Sequence, residues 1–240
     1  GLRRWGWTRG DTKLAILGPS VFPVDPSGAH YGFEYLLAQL SDRLAKEVDV
    51  TLFAPKGSRC WRADVRETIE PPEVWGDEEE RAFAACKDEL ATFDVILDAS
   101  HRKLTYYHLP QCRLLGSLNG NQIAVPMTRA MSCFIALSEW HKRDTHARFG
   151  CNSRFIEYGI EMGKVDVRTA KRERVALAFG LKIPHKGDLE LVQAWPKDHL
   201  LKLVVSGEDR FGCPPEYVAK LKETCKLKGI EYLGPLDKKQ

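Results

Sequence analysis

Apolar positions along this chain follow two rhythms. Short unbroken runs bounded by polar or turn residues read as buried strands: Leu14–Leu17, Val50–Ala54, Val65–Ile69, Val95–Leu97, Leu114–Leu118, Cys133–Leu137 and Phe155–Tyr158. Between them the apolar residues recur every three to four positions, which predicts helices. Phe33–Lys46 places Leu36, Leu37, Leu40 and Leu44 on one face, and Asp77–Thr92 does the same with Phe83, Ala84 and Leu90. Ser138 is placed to cap a further helix, Glu139–Phe149. The alternation then resumes with strand Val175–Phe179, helix Asp188–Trp195, strand Leu201–Val205, helix Tyr217–Lys228 and strand Glu231–Leu233. Strands alternating with helices predict an α/β fold. Its sheets are mostly parallel and doubly wound, with ligands held at the carboxyl ends of the strands.

Charge divides the pattern in two. The stretch Lys164–Arg174 has the composition of a linker or surface helix. The expected organisation is therefore a tail over 1–12, one domain over 13–162 and a second over 163–240. Three strands and two helices make only half of a doubly wound domain, so the second unit is expected to be incomplete. An open edge near Leu203 and Tyr232 would then be covered by an oligomer or a partner protein.

Composition narrows the classes. With 240 residues and 43% hydrophobic content the chain can bury a sizeable core, and a formal net charge of +3 spread along it excludes the basic face of a nucleic-acid protein. Seven cysteines form no CxxC pair and no even framework, which favours reduced thiols in a cytoplasmic protein. No apolar run approaches the ~20 residues that span a bilayer. The first eleven residues carry three Arg and two Trp without a signal-type apolar region.

Candidate chemistry concentrates at Ala176–Gly187, a strand that turns at Gly180 and enters a helix past Lys186. Such a turn aims backbone N–H groups and the positive helix end at one point, and Lys182 and Lys186 would make that point suit a phosphate or diphosphate. The alternative is two solvated lysines on an ordinary turn. His101 follows a buried strand, where it either bonds a ligand hydroxyl or pins its own loop through a backbone carbonyl. Gly28 and Gly32 either let backbone approach a ligand or serve left-handed turns. Glu161 is either a hinge carboxylate facing the ligand or an exposed loop residue. His101, His108 and Cys112 lack a fourth ligand, and no metal site is expected.

Several segments, taken in order, resemble the retaining GT-B glycosyltransferases. Pro23–Glu34 stands where that family has its glycine-rich loop, and Phe33–Ala54 where it has its first helix and second strand. The run 93–96 matches the strand before a His-bearing loop, 133–140 the serine-then-helix segment, and Tyr158-Gly159-Ile160-Glu161 the family's Asn-Gly-Ile-Asp. The block 179–187 is similar to its Gly-Arg-x-x-Pro-x-Lys-Gly signature, and Ser206-Gly207 follows where a strand ends in Gly. The resemblance implies two Rossmann-like units facing a cleft. It also implies transfer of a sugar from a nucleotide diphosphate-sugar to an unknown acceptor, with retention and without a metal or other cofactor. By that analogy Gly180, Lys182 and Lys186 bind the donor diphosphate, His101 is the catalytic-loop residue, and Gly28, Gly32 and Glu161 lie near sugar or acceptor. Three departures accompany it. The family's paired glycines of the first loop are reduced to Tyr31-Gly32, with Ser27-Gly28 just upstream. Leu181 stands where the family has an Arg that pairs with the diphosphate, and the family's two Glu eight positions apart are expected past Gln240. They leave an alternative open, a catalytically degenerate homologue that serves as a structural or interaction subunit.

Overall fold

The structure is a computed structural model that describes residues 12–27, 32–72, 76–109, 113–117, 133–150, 153–156, 174–209 and 213–235. The chain divides into two compact units, Gly1–Glu161 and Met162–Gln240. Val95 and Leu203 lie in separate sheets, one in each unit.

The first unit is built on β1 (Lys13–Leu17), β2 (Asp49–Ala54), β3 (Asp64–Glu67), β4 (Val95–Asp98), β5 (Leu114–Ser117), β6 (Cys133–Ala136) and β7 (Ser153–Phe155). These form one seven-stranded sheet in the order β3-β2-β1-β4-β5-β6-β7, with every pairing parallel. Alternate residues of β1 serve two different cores. Leu14 and Ile16 pack with Leu37 and Ala38 of α1 (Gly32–Leu44), whereas Ala15 and Leu17 pack with Phe83, Cys86 and Leu90 of α2 (Glu78–Leu90). Helices thus cover both faces, as the near-continuous apolar strands require. The strand order reverses between β1 and β4, which is where doubly wound sheets open a crevice for ligands.

Two helix faces differ from the sequence expectation. On α1 the buried stripe is Leu37, Ala38 and Ser41, while Leu40 is 38% exposed. Ser41 fits inside because its hydroxyl donates to the Leu37 carbonyl at 2.8 Å. Asp42 of the same helix accepts the backbone N–H groups of Trp61, Arg62 and Ala63, which turns that side of the helix to the loop before β3. On α2, Ala82 and Cys86 join Phe83 and Leu90 inside, and Ala84 faces solvent. The short helix α3 (Thr105–His108) has too few turns to leave a periodic trace and is absent from the sequence reading. In α4 (Glu139–Phe149) the Ser138 hydroxyl accepts from the His141 N–H at 3.0 Å, so the expected cap forms.

The second unit holds β8 (Val175–Phe179), β9 (Lys202–Ser206) and β10 (Glu231–Gly234) in the parallel order β10-β9-β8. Its two helices, α5 (Asp188–Ala194) and α6 (Pro215–Lys228), share one core with Ala178, Leu203 and Val205. The other face of β8 carries Val175, Leu177 and Phe179, with Leu177 57% and Phe179 71% exposed. Among the described residues of this sheet, exposed apolar side chains therefore lie on β8 and, at Leu233 beside Tyr232, on the edge strand β10. Leu203, where the sequence reading also put the open edge, is in the middle strand and buried.

Phe53 anchors the core on the α2 side of the sheet at zero exposure, edge-to-face against Phe93 at 5.7 Å. Phe53→Ala is expected to cost about 3–5 kcal/mol of unfolding free energy, read from urea denaturation.

Candidate functional site

In the second unit the carboxyl ends of the three strands form a glycine rim: Gly180 after β8, Gly207 after β9 and Gly234 closing β10. Gly180 and Gly207 have φ of +135° and +130°, backbone that residues with a Cβ rarely adopt. A Cβ on Gly207 would sit 2.0 Å from the Gly180 carbonyl oxygen, so side chains are excluded where the two strand ends meet. The rim is laced together. Gly207 N–H and the Ser206 hydroxyl both donate to the Gly234 carbonyl, at 2.8 and 2.9 Å, and Lys182 N–H donates to the Glu208 carbonyl at 2.9 Å. Below it, Asp209 accepts from the Tyr232 hydroxyl at 2.9 Å and pairs with Lys222 at 2.8 Å. Burial, then the bond to Asp209, pushes the Tyr232 phenol above its ordinary range.

Past Gly180 the chain makes a 3-10 turn, Pro184–Lys186, and enters α5 through Gly187 at φ +74°. Lys186, the last residue of that turn, is exposed. Lys182 is not. It is fully buried, and its ammonium donates to Asp188 Oδ2 at 3.3 Å and the Ala178 carbonyl at 3.4 Å. Asp188 is the first residue of α5 and only 7% exposed. The protein's own carboxylate therefore stands at the positive helix end expected to attract a phosphate. The Leu189 N–H, in the same turn, is taken by the Tyr217 hydroxyl at 3.1 Å. Of the sequence-predicted group, Gly180 is half-buried at the end of β8, Lys186 is exposed in the 3-10 turn before α5, and Lys182 is an internal ion-pair residue.

In the first unit, His101 emerges from the loop after β4 at the point where the strand order reverses. Its loop is tied from within by Asp98, which has no exposure and accepts from Ser100 N–H at 3.0 Å, Ser100 Oγ at 2.6 Å and Thr105 Oγ1 at 2.5 Å. Lys103 adopts a left-handed φ of +53°, and its buried ammonium donates to the carbonyls of Asp98 and Ser100. Burial holds that amine below the ordinary lysine range, opposed by Asp98 and Glu79. From α2, Glu79 accepts the His101 N–H at 2.8 Å and the Arg102 N–H at 2.5 Å, and its Oε1 lies 3.0 Å from His101 Nδ1. His101 thus bonds a carboxylate from another element, which the sequence reading did not include among its partners. Glu34, in the first turn of α1, is 6% exposed, and burial raises its carboxyl against the pull of its own N–H and of His101. Neither Glu34 nor Glu79 stands out in sequence, since acidic residues in a first helical turn are ordinary. Gly32 opens α1 with open space around its Cα. Gly28 and Glu161 lie outside the described residues. Among the described residues no group of His, Cys, Asp or Glu is arranged to hold a metal, and no helix is long and apolar enough to cross a membrane.

No family model matches this sequence, and no curated protein does. Solved structures do match. HepE of Anabaena, solved in complex with UDP and glucose, is similar over 94% of this chain and 70% of its own, at 14% identity and a TM-score of 0.55. WaaG, a glycosyltransferase involved in lipopolysaccharide biosynthesis, is similar over 93% of this chain and 70% of its own, at 10% identity and a TM-score of 0.59. A UDP-forming α,α-trehalose-phosphate synthase from Burkholderia vietnamiensis is similar over 95% and 73%, at 10% identity and a TM-score of 0.54. The fold is the GT-B type that these glycosyltransferases share.

Breaking the Lys182–Asp188 pair from one side leaves an uncompensated buried charge. Asp188→Asn is expected to cost about 3–5 kcal/mol, and adding Lys182→Met should restore much of the loss. A double-mutant cycle in chemical denaturation checks this; additive losses would mean the two groups do not interact.

Proposed function

We propose that this protein is a sugar transferase using a nucleotide diphosphate-sugar, with the donor held by the second unit and the acceptor by the first. The observation that carries the reading is the glycine rim at Gly180, Gly207 and Gly234, all three at positive φ and Gly207 with no room for a Cβ, followed along the chain by the exposed Lys186. A diphosphate can approach such backbone closely, and a fixed cation stabilises the negative charge that builds on it as the glycosidic bond breaks. The fold shared with WaaG, named as a glycosyltransferase, and with HepE, solved with UDP and glucose, supports this chemistry. In this reading the transfer proceeds with retention and without a metal, and the leaving phosphate assists deprotonation of the acceptor hydroxyl. His101, at the rim of the first unit, contacts the sugar or acceptor.

A second reading is favoured by three specific features. Leu181 replaces the expected arginine, Lys182 is turned inward, and Asp188 occupies the start of α5. Together they describe a homologue whose donor site has been converted into internal structure and which serves as an interaction subunit.

Calorimetric titration with UDP, GDP and ADP separates the two. The transferase reading expects a nucleoside diphosphate to bind through its phosphates, and Lys186→Ala to weaken it about tenfold, the loss of one charge-assisted contact. Leu181→Arg should tighten binding. No heat with any of the three on folded protein favours the second reading.

Either way, we propose that the apolar row Val175, Leu177 and Phe179 on β8 is covered by another protein surface, since an exposed apolar row on a strand that is an edge among the described residues drives association. Phe179→Asp should shift sedimentation toward the monomer. A wild-type protein that stays monodisperse and monomeric at high concentration would refute the idea.

A further inference from the structure

The geometry points to Glu79 as a positioning residue that fixes His101 in its Nδ1–H tautomer, leaving Nε2 as a hydrogen-bond acceptor for a ligand hydroxyl. Only the last step, the hydroxyl, rests on the sugar-transfer reading; the tautomer follows from this structure.

Glu79 comes from the first turn of α2, twenty-two positions before the histidine, and its side chain is 4% exposed. One oxygen, Oε1, accepts the His101 backbone N–H at 2.8 Å and lies within hydrogen-bond distance of ring Nδ1, at 3.0 Å. The other, Oε2, receives the Arg102 N–H at 2.5 Å. Burial works to raise the Glu79 carboxyl. The bond from the His101 ring and those from the two backbone N–H groups outweigh it and hold the group below its ordinary value. The carboxylate is therefore ionised and can only accept. A contact between Nδ1 and an acceptor-only group requires the proton on Nδ1, and in the neutral ring that leaves the lone pair on Nε2.

The surroundings leave that arrangement undisturbed. Arg102 turns its guanidinium to Glu80 and the Gly76 carbonyl, and Lys103 directs its ammonium to the Asp98 and Ser100 carbonyls. The buried carboxyl of Glu34 from α1 also feels the ring, which pulls against the rise that burial gives it. The ring itself stays open, with a side-chain exposure of 54%. A side chain that only locked its loop would need the two backbone bonds to Glu79 and no ring contact. The third bond, on Nδ1, orients the imidazole and selects which nitrogen faces outward.

Long-range proton–nitrogen correlation spectra of 15N-labelled protein, recorded at about pH 8 where an ordinary imidazole is neutral, test this directly. The His101 signals are assigned by their loss in His101→Gln. Wild type is expected to show a protonated Nδ1 and an unprotonated Nε2. Glu79→Gln should move the proton to Nε2, and Glu79→Asp should keep it on Nδ1. A wild-type ring protonated on Nε2, or a Glu79→Gln protein that is folded by circular dichroism with its tautomer unchanged, overturns the inference. Should Glu79→Gln fail to fold, the wild-type and Glu79→Asp spectra still decide. No sugar nucleotide enters this measurement, so its outcome is independent of the proposed reaction. If transfer is then established, Glu79→Gln should lower kcat on the order of tenfold or more with KM little changed.

Discussion

All pairings in both sheets are parallel, and that one constraint places everything else. A parallel pair cannot be closed by a tight turn, so each strand sends its chain across the sheet and back, usually through a helix. Each strand then releases its chain at the same edge, and the helix that follows begins there too. Glu34 and Glu79 belong to different helices and His101 to a loop, yet all three meet at one edge of the first unit. The glycine rim of the second unit arises in the same way.

What the strand ends hold is decided by polar groups with little hydrophobic signature. Asp98 fixes its loop through Ser100 and Thr105, within seven residues along the chain. Lys182 and Asp188 close a loop of similar length around Gly187. Each pair satisfies a buried charge locally, and so a charged residue can sit inside the fold without exposing the loop to water. In the second unit this makes the strand–turn–helix junction stiff and largely self-satisfied.

The sheet strands and long helices were legible because burial on two faces leaves unbroken apolar runs and a three-to-four repeat. Val175–Phe179 and Glu139–Phe149 coincide with the observed elements. The rotation of α1 was not legible, because Ser41 and Asp42 are polar by type yet turn inward or toward a loop once backbone partners are supplied. Lys182 was misplaced for a related reason. Its neighbours in sequence suggest an exposed turn, and its burial depends on Asp188 arriving from the next helix. The turn at Gly180 and the helix start at Asp188 were readable from the sequence, whereas Glu79 became visible only when the fold carried it twenty-two residues to His101.

The contact between the ends of β8 and β9 also sets how this protein can drift in evolution. A methyl group at 207 meets the carbonyl of 180, and both are backbone positions of paired strands, so no side-chain adjustment relieves the clash. At 180 and 234 nothing crowds closer than 3.7 Å, and a substitution there meets only the cost of an unusual φ. Among lineages descended from this chain, 207 should therefore be the last of the three glycines to change, and its loss should coincide with a shift in strand register.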